Sequence, residues 1–393
     1  MNSRALCWLV CWILLLLQAC SGGDSRNVTP TVDSLETPVQ TNDGWETASL
    51  AEVGIDAQPI IDAVNQIRRG AYNEIHGFVI VKDGRLVLEE YGRGQMFEYD
   101  PPDNLGPTID FDQDETHIVH SVSKSYMSTL VGIAIQEGYI TSEDASLLTF
   151  FPEHADPNQP GKAGISLKHV MSMSSGLAWN EWEVSVMDFT NNDAYRYQTA
   201  FDPCAYFFGK SLLHEPGTSF YYNTGGFQMM GEVIRRATAM PVNQFAAQHL
   251  FDPLEIRNYF WPQFEHGPVY IVGDLFLRPR DMAKFGQLVL QGGQWNGQQI
   301  VPTGWIEKAT TELVSVAHTG YKGYRGYGLH WWLKTFNIGG VTIEAIHADG
   351  LAGQAIMVFP TLDLVVVVTS GNYNDAELEH ALIANHVLPA VIG

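Results

Sequence analysis

Cysteine is nearly absent from this chain of 393 residues, which contains four. Cys7, Cys11 and Cys20 lie within the first twenty residues, so Cys204 stands alone in the remainder. A single cysteine excludes an internal disulfide there. Because a lone cysteine is more often a small buried hydrophobe than a nucleophile, we do not expect Cys204 to be catalytic.

Basic residues are also scarce, with 22 Lys and Arg against 44 Asp and Glu, which gives a formal net charge of -22. Such a surface repels nucleic acid, and no cluster of basic residues offsets it. We therefore expect no nucleic-acid partner. Hydrophobic residues make up 45% of the chain, which is ample for a large buried core in one domain or two intimate ones.

Several familiar sequence motifs are missing as well. The chain has no Gly-x-Ser-x-Gly elbow, no His-Glu-x-x-His helix and no phosphate-binding loop of the Gly-x-x-x-x-Gly-Lys type. Its 13 histidines are scattered without the spacing of metal ligands. The sequence therefore predicts neither a metal nor another cofactor.

The N-terminus has the pattern of a targeting segment. After Arg4, an apolar run of 12 residues extends from Leu6 to Leu17, too short to span a bilayer but typical of a signal peptide. The next residues, ending in Cys20, resemble a bacterial lipobox. This resemblance implies a signal peptide at 1–19, lipid on Cys20 and a cell-envelope location facing the periplasm, with Ser21 favouring the outer membrane. The alternative is an ordinary secretory signal.

The remaining chain separates into a polar stretch and a folded region. Residues 20–45 are rich in Ser, Thr, Asp, Gly and Pro and predict a flexible tether, and residues 46–393 predict the folded domain. Strand pairs are expected at both ends of the domain and helices between them, which is an α+β architecture with a helical insertion in a sheet. The predicted hairpins are 77–88 and 355–369, and the predicted helices are 122–137, 226–239, 243–250, 280–291 and 375–387.

Ser121 and Lys124 form the strongest chemical signal. Two residues three apart on a helix share one face, so the hydroxyl and the amine meet one turn apart. A serine hydroxyl attacks poorly until a neighbouring group takes its proton, and a lysine can do so when its surroundings lower its pKa. We predict that Ser121 is a nucleophile and that Lys124 is its proton acceptor. A chance spacing is the alternative.

An ordered set of motifs gives this pair a context. The segment His120–Tyr126 resembles the start of the active-site helix in class C β-lactamases and related serine hydrolases, a group that includes penicillin-binding proteins, esterases and 6-aminohexanoate-dimer hydrolases. The resemblance covers roughly residues 70–393 and implies a β-lactamase/transpeptidase-like fold with an antiparallel sheet. Its further parts, in chain order, are Met173–Leu177, Glu215–Gly226, Leu277–Gly286 and Asn296–Pro302.

The second motif leaves two tyrosines as candidates for the catalytic base. Counting from Pro216-Gly217 places the family's tyrosine on Tyr222, whereas a literal Tyr-x-Asn selects Tyr221. We favour Tyr222, with Asn223 and Thr224 as substrate-binding residues. A nearby lysine ammonium favours the phenolate form of a tyrosine, which can then accept a proton.

The third motif departs most from the family. The β-lactamase Lys-Thr-Gly corresponds here to Ala348, Asp349 and Gly350, so the cation that receives a substrate carboxylate is missing. The resemblance implies an oxyanion hole formed by the backbone N–H groups of Ser121 and Leu351. We list Asp349 and Gly350 as substrate-binding candidates and add His347, for which a structural role is the alternative.

These residues predict a serine hydrolase that cleaves an ester or amide of a small molecule through an acyl-enzyme. The altered third motif and the segment Trp179–Trp182 resemble esterases and 6-aminohexanoate-dimer hydrolases more than β-lactamases. A β-lactamase or D,D-peptidase is the alternative within the family. A binding protein of the envelope that has kept the fold without the activity is the alternative outside it.

Overall fold

The computed structural model describes residues 30–98, 105–184, 188, 190–266, 269–373 and 377–393. The predicted signal peptide, Cys20 and residues 20–29 of the predicted tether lie outside the described residues. The strands are β1 Glu46–Thr47, β2 Ile75–Lys82, β3 Arg85–Tyr91, β4 Arg93–Phe97, β5 Leu105–Asp110, β6 His117–Ile118, β7 Tyr259–Phe260, β8 Gln263–His266, β9 Val269–Val272, β10 Phe276–Leu277, β11 Gln294–Trp295, β12 Gln298–Gln299, β13 Val314–Ser315, β14 Tyr324–Tyr327, β15 Trp332–Ile338, β16 Val341–Gly350, β17 Gln354–Phe359 and β18 Leu364–Ser370.

Helices occupy most of the region between β6 and β13. The α-helices are α1 Ala57–Arg68, α2 Ser123–Gln136, α3 Leu167–Met171, α4 Asp193–Thr199, α5 Pro203–Gly209, α6 Thr224–Thr238, α7 Val242–Ala246, α8 Pro279–Leu290, α9 Thr303–Ala309, α10 Leu378–Leu382 and α11 Leu388–Ile392. The π-helical segments are Ala247–Phe251 and Ile383–Val387, and the short 3-10 helices are Ala51–Val53, His120–Val122, Leu147–Thr149, Pro152–His154, Pro160–Gly164, Ala317–Thr319, Tyr321–Gly323, Leu351–Gly353 and Pro360–Leu362. Across the described residues, no helix has both the length and the apolar character needed to cross a bilayer.

The main sheet joins the two ends of the chain. In the described residues it has nine strands in the order β1-β3-β2-β18-β17-β16-β15-β14-β13. Neighbouring strands are antiparallel except for β1 and β3, and the pairing of β2 with β18 connects the N-terminal strands to the C-terminal ones. This arrangement confirms the predicted α+β fold. The predicted Asp-Gly turn between β2 and β3 is also present, with positive φ at Asp83 and Gly84.

Each face of the sheet covers a separate core because side chains alternate along a strand. Val79 and Val81 of β2 face the helical region, whereas Phe78 and Ile80 face α1 and the C-terminal helices. Helix α8 lies so close to the sheet that a Cβ on Gly286 would be 2.5 Å from Val365 Cγ1. The sheet is therefore a middle layer between the terminal helices and the helical region.

Helix α2 is the central helix of the helical region. Its residues Ser123 to Ala134 are all buried, which explains why it has no polar face. The Ser123 hydroxyl accepts a hydrogen bond from the Leu275 N–H at 2.9 Å, and the Ser125 hydroxyl donates one to the His330 carbonyl at 2.7 Å. These bonds fix the first turn of α2, directly after the predicted nucleophile, between the chain before β10 and the chain before β15.

The described part of the predicted tether differs from the prediction. The Val32 N–H and carbonyl both bond to the Asn65 side chain of α1 at 2.8 Å. Asp43 forms an ion pair with Arg280 of α8, and Trp45 is buried. Residues 32–45 therefore lie against the domain, because their few apolar and charged side chains have partners far away in the sequence, which composition alone does not reveal.

Candidate active site

Ser121 lies at the junction between a strained turn and α2. His120, directly before it, has φ +44°, a conformation that residues other than glycine seldom adopt. Ser121 is half-buried, and the Lys124 ammonium one helical turn away donates a hydrogen bond to its hydroxyl oxygen at 2.8 Å. The structure thus brings the two predicted residues into direct contact, with Lys124 itself buried.

Tyr222 is the tyrosine that faces this pair. The Lys124 Nζ lies 5.0 Å from the centre of the Tyr222 ring, and the Tyr222 hydroxyl is close enough to interact with both Ser121 and Lys124. The hydroxyl of Tyr221 instead contacts His214 Nε2 at 3.1 Å. Of the two tyrosines left open by the sequence, the structure therefore places Tyr222 beside Lys124.

The ionisation of this pair differs from the expectation. Burial raises the pKa of Tyr222, and the opposing effect of the Lys124 charge is smaller. Burial lowers the pKa of Lys124, but Tyr222, Glu181 and Asp274 act in the opposite direction and outweigh burial, so this pKa is raised. Lys124 and Tyr222 therefore titrate as a coupled pair, and the pair must lose one proton before it can act as a base.

Glu181 is a site residue that the sequence did not single out. Its carboxylate accepts hydrogen bonds from the Thr224 N–H at 2.8 Å, the Thr224 hydroxyl at 2.5 Å and the Trp179 indole at 2.7 Å. It therefore caps the start of α6 directly after Tyr222, where a carboxylate is favoured by the helix dipole. The sequence did single out the segment Trp179–Trp182, which contains Glu181, but only the folded structure shows that this segment lies beside Tyr222.

A second carboxylate approaches from the other side of Ser121. Asp274 contacts His120 Nδ1 at 3.1 Å, and His120 Nε2 contacts the Tyr373 hydroxyl at 3.0 Å. Burial raises the pKa of Asp274, but the hydrogen bond and the charges of His120 and Lys124 outweigh burial and hold it below its usual value. Lys124 is thus flanked by two acids.

The end of β16 forms the other wall of the site. It contacts the turn His120–Val122, and a Cβ on Gly350 would be 2.5 Å from the Val119 carbonyl oxygen. Only glycine fits at this separation without a shift of backbone. Leu351 follows at the cleft with its side chain 55% exposed. Gly350 therefore packs the end of β16 against the chain directly before Ser121, and the oxyanion hole with Leu351 stays a prediction.

The other predicted substrate-binding residues have contacts within the protein. The Asn223 side chain accepts a hydrogen bond from the Gly226 N–H at 2.9 Å and caps α6, and Thr224 is bound to Glu181. His347 is fully buried on the face of β16 opposite Ala348, with Nδ1 2.5 Å from the Tyr324 hydroxyl. The structure therefore does not bring His347 into the cleft, because strand alternation turns it toward the terminal helices.

Asp349, a predicted substrate-binding residue, also has a partner within the protein. Its carboxylate contacts Lys322 Nζ at 2.8 Å, and it is almost fully buried. Burial raises the pKa of Asp349, and Lys322 acts in the opposite direction. A lysine from a distant segment thus lies beside the altered third motif, but it is occupied by carboxylates.

A cavity of about 650 Å³ opens next to Tyr222. Trp182 stacks on Tyr222 with ring centres 4.8 Å apart and lies parallel to Trp332 at 6.0 Å. Phe220 and Trp179 extend the aromatic lining, and Glu183 also lines the cavity. Such a pocket suits an apolar or planar group attached to the reacting carbonyl.

Among the described residues, one group of potential metal ligands occurs, and it includes none of Ser121, Lys124 and Tyr222. His154, Asp202 and Cys204 have donor atoms within 4.8 Å of one another. Bond lengths of 2.0–2.3 Å in tetrahedral zinc sites require ligand atoms about 3.5 Å apart. The Asp202 carboxylate also caps α5 by accepting a hydrogen bond from Ala205 N–H at 2.9 Å. Cys204 itself is buried, and burial raises the pKa of its thiol to about 12.

Comparisons with known proteins identify the family of this chain. The family model described as "Beta-lactamase" matches residues 61–388. A 6-aminohexanoate-dimer hydrolase from Paenarthrobacter ureafaciens is 26% identical over 316 residues, which is 77% of this chain and 74% of that protein.

Two solved structures share the fold. A penicillin-binding protein homologue from Caulobacter crescentus has a TM-score of 0.61 and 16% identity, with 85% of this chain and 98% of that chain covered. A family VIII carboxylesterase has a TM-score of 0.60 and 17% identity, with the same two coverages of 85% and 98%.

Proposed function

We propose, since this chain belongs to the β-lactamase family and is a serine hydrolase, that it cleaves small esters or amides that carry no carboxylate next to the reacting bond. The 2.8 Å contact between Lys124 Nζ and Ser121 Oγ, with Tyr222 beside it, carries this proposal. Ser121 attacks the carbonyl carbon and forms an acyl-enzyme. Lys124 and Tyr222 first accept the serine proton and then deliver it to the leaving group.

The resting protonation states define how the step proceeds. Because the pKa values of Lys124 and Tyr222 are both raised, the fraction of enzyme in which the pair has lost a proton and can act as a base rises with pH. The backbone N–H groups of Ser121 and Leu351 stabilise the oxyanion that forms on attack. Water then hydrolyses the acyl-enzyme by the same proton relay in reverse.

The substrate class is inferred from the charges near the cleft. A β-lactam or peptide carboxylate needs a free cation or strong donors on the strand beside the nucleophile. The cation at this place, Lys322, is bound by Asp349 at 2.8 Å and by Glu379 at 3.1 Å. A neutral ester or a linear amide needs only the nucleophile, the base and the oxyanion donors. The likeness to a 6-aminohexanoate-dimer hydrolase supports a linear amide as one such substrate.

Labelling and kinetics test the activity. Wild-type protein should react with a fluorophosphonate and hydrolyse p-nitrophenyl butyrate, and Ser121→Ala should do neither while keeping its fold. Cys204→Ala is the matched control and should behave as wild type. Labelling of the Ser121→Ala protein would show that another residue is the nucleophile.

A substrate panel tests the selectivity. We expect kcat/KM for p-nitrophenyl butyrate to exceed that for nitrocefin by at least about 100-fold, because Coulomb repulsion and the lost ion pair both act against the carboxylate. A linear 6-aminohexanoate dimer belongs in the same panel. Faster hydrolysis of nitrocefin than of the ester would overturn the substrate class while leaving the serine mechanism intact.

We also propose that Cys20 anchors the protein to a bacterial membrane, with the catalytic domain facing the periplasm. The support is the apolar run Leu6 to Leu17 followed by the lipobox-like residues up to Cys20. Cys20→Ser should move the protein from the membrane fraction to the soluble envelope fraction. A wild-type protein that already fractionates as soluble would contradict the anchor.

A further inference from the structure

Three buried charged side chains form a cluster beside the C-terminal end of β16, next to Gly350 and Leu351. Lys322 Nζ is 2.8 Å from Asp349 Oδ1 and 3.1 Å from Glu379 Oε1, and none of the three residues is more than 6% exposed. We propose that this ion cluster positions the Gly350–Leu351 backbone against Ser121, so that Lys322, Asp349 and Glu379 are positioning residues for the hydrolysis. The inference rests on the proposed function.

The cluster joins three segments that are distant in sequence. Lys322 belongs to the 3-10 helix Tyr321–Gly323 before β14, Asp349 to β16 and Glu379 to α10. Lys322 has φ +44° and ψ +21°, which costs a lysine energy that its surroundings have to offset. Its carbonyl accepts a hydrogen bond from Lys334, and its ammonium is bound by both carboxylates. These contacts hold a strained residue in one place.

The cluster contacts both the end of β16 and the aromatic side chains beside Tyr222. Asp349 precedes Gly350, whose backbone is packed on the Val119 carbonyl, and a Cβ on Gly353 would lie 3.3 Å from Glu379 Oε2. The Tyr321 hydroxyl donates to Asp349 Oδ2 at 3.4 Å. The Tyr321 ring lies 4.5 Å from Trp182, which in turn stacks on Tyr222. A displacement of Asp349 would therefore move both the Leu351 backbone N–H, the proposed oxyanion donor, and the aromatic side chains of Tyr321 and Trp182.

The charges of the cluster are not balanced, because two carboxylates share one ammonium. Burial raises the pKa of Glu379 to about 7 and also raises that of Asp349. Burial lowers the pKa of Lys322, but the two carboxylates outweigh it and raise this pKa. Other ionisable groups also face the cluster. Burial lowers the pKa values of Lys334 on β15, His347 on β16 and His380 on α10. Burial raises the pKa values of Tyr321, before β14, and Tyr324, on β14, and Glu377 lies at the start of α10.

Ionisation of Glu379 consequently changes the site. With Glu379 neutral, Lys322 and Asp349 form one balanced pair. With Glu379 ionised, a second carboxylate competes for Lys322 and places an uncompensated negative charge behind the group that must stabilise an oxyanion. We expect this charge to weaken catalysis, because oxyanion stabilisation acts in the transition state rather than in substrate binding.

Two shape-conserving variants test the proposal with p-nitrophenyl butyrate. Asp349→Asn should lower kcat about 10-fold with KM within about 2-fold of wild type. For Glu379→Gln, the ratio of its kcat to the wild-type kcat should be near 1 at pH 6 and should rise about 3-fold by pH 8.5. Taking the ratio removes the pH dependence of Lys124 and Tyr222, which both proteins share.

Arg325→Met is the matched control, since this neighbouring cation pairs with Glu312 and Glu344 on the exposed side of the sheet. It should leave both parameters unchanged. A folded Asp349→Asn enzyme with wild-type kcat, or a Glu379→Gln ratio that stays constant with pH, would overturn the proposal. Ser121→Ala, measured in parallel, reports separately on the proposed function, because the loss of labelling and hydrolysis expected in this variant does not depend on the cluster.

Discussion

The two walls of the cleft are built in different ways. The wall formed by Ser121, Lys124 and Tyr222 depends on a single helical turn and a helix start, and its central contact joins residues three apart in sequence. The wall formed by the end of β16 depends on Lys322 and Glu379, which come from other segments. The first wall supplies the reacting groups, whereas the second supplies a backbone position. Substitutions in the first wall should therefore remove a reacting group, whereas substitutions in the second should displace the backbone that faces the reacting groups.

Lys124→Ala would break the first wall and should have the largest effect. Without the ammonium, Ser121 loses the 2.8 Å hydrogen bond from Lys124 and Tyr222 loses the charge that opposes its raised pKa. We expect kcat for a short ester to fall at least about 1,000-fold with little change in KM. Lys308→Ala, at a half-exposed lysine of α9, is the control. A loss under 10-fold would show that Lys124 is not the proton acceptor.

Gly350→Ala would break the second wall. Its new Cβ would approach the Val119 carbonyl oxygen to 2.5 Å, so backbone on one side must move. We expect kcat to fall about 100-fold, comparable to the loss of one oxyanion donor. Gly304→Ala in α9 is the matched control, because a Cβ there meets nothing within 4 Å. Unchanged kinetics for Gly350→Ala would separate this strand from the oxyanion hole.

The sequence could predict the Ser121–Lys124 pair of the first wall because its geometry is local, whereas Tyr222 followed from the resemblance of the second motif to the family's. Spacing placed Ser121 beside Lys124, and the Pro-Gly turn favoured Tyr222 over Tyr221. The sheet was predictable too, since β2, β3, β17 and β18 carry alternating or continuous apolar runs around recognisable turns. Composition failed at residues 32–45, where a few long-range contacts decide the packing.

The second wall could not be predicted because its partners are far apart. Lys322 has no motif around it, and only the fold places it beside Asp349 and Glu379, 27 and 57 residues away. The same limit hid Glu181, 43 residues before Thr224. It also misplaced His347, since the sequence did not show which face of β16 turns toward the cleft.

Glu181→Gln would sharpen the account of the first wall with a moderate effect. The amide still accepts hydrogen bonds from Thr224 and Trp179, but the charge that raises the pKa values of Lys124 and Tyr222 is gone. The fraction of free base at neutral pH should increase. We expect the rising limb of log(kcat) against pH to move about 0.5–1 pH unit lower. Glu183→Gln, at a neighbouring exposed acid, should leave the rising limb unchanged. A shift to higher pH in Glu181→Gln would contradict the role of Glu181.

Glu379→Gln should have the smallest effect on rate, and its effect on stability also probes the second wall. Folding raises the pKa of Glu379 from about 4.5 to about 7 because the carboxyl group is buried. Between these values the unfolded chain releases a proton that the folded protein keeps, so the free energy of unfolding falls as pH rises from 4.5 to 7. The variant should lack this contribution, roughly 1–3 kcal/mol. Urea titrations at pH 5 and pH 7.5 measure it, with Glu344→Gln on the exposed side of β16 as the control. An equal pH dependence in wild type and Glu379→Gln would show that the buried carboxylate keeps its charge in both states, and Lys322 would then balance both acids.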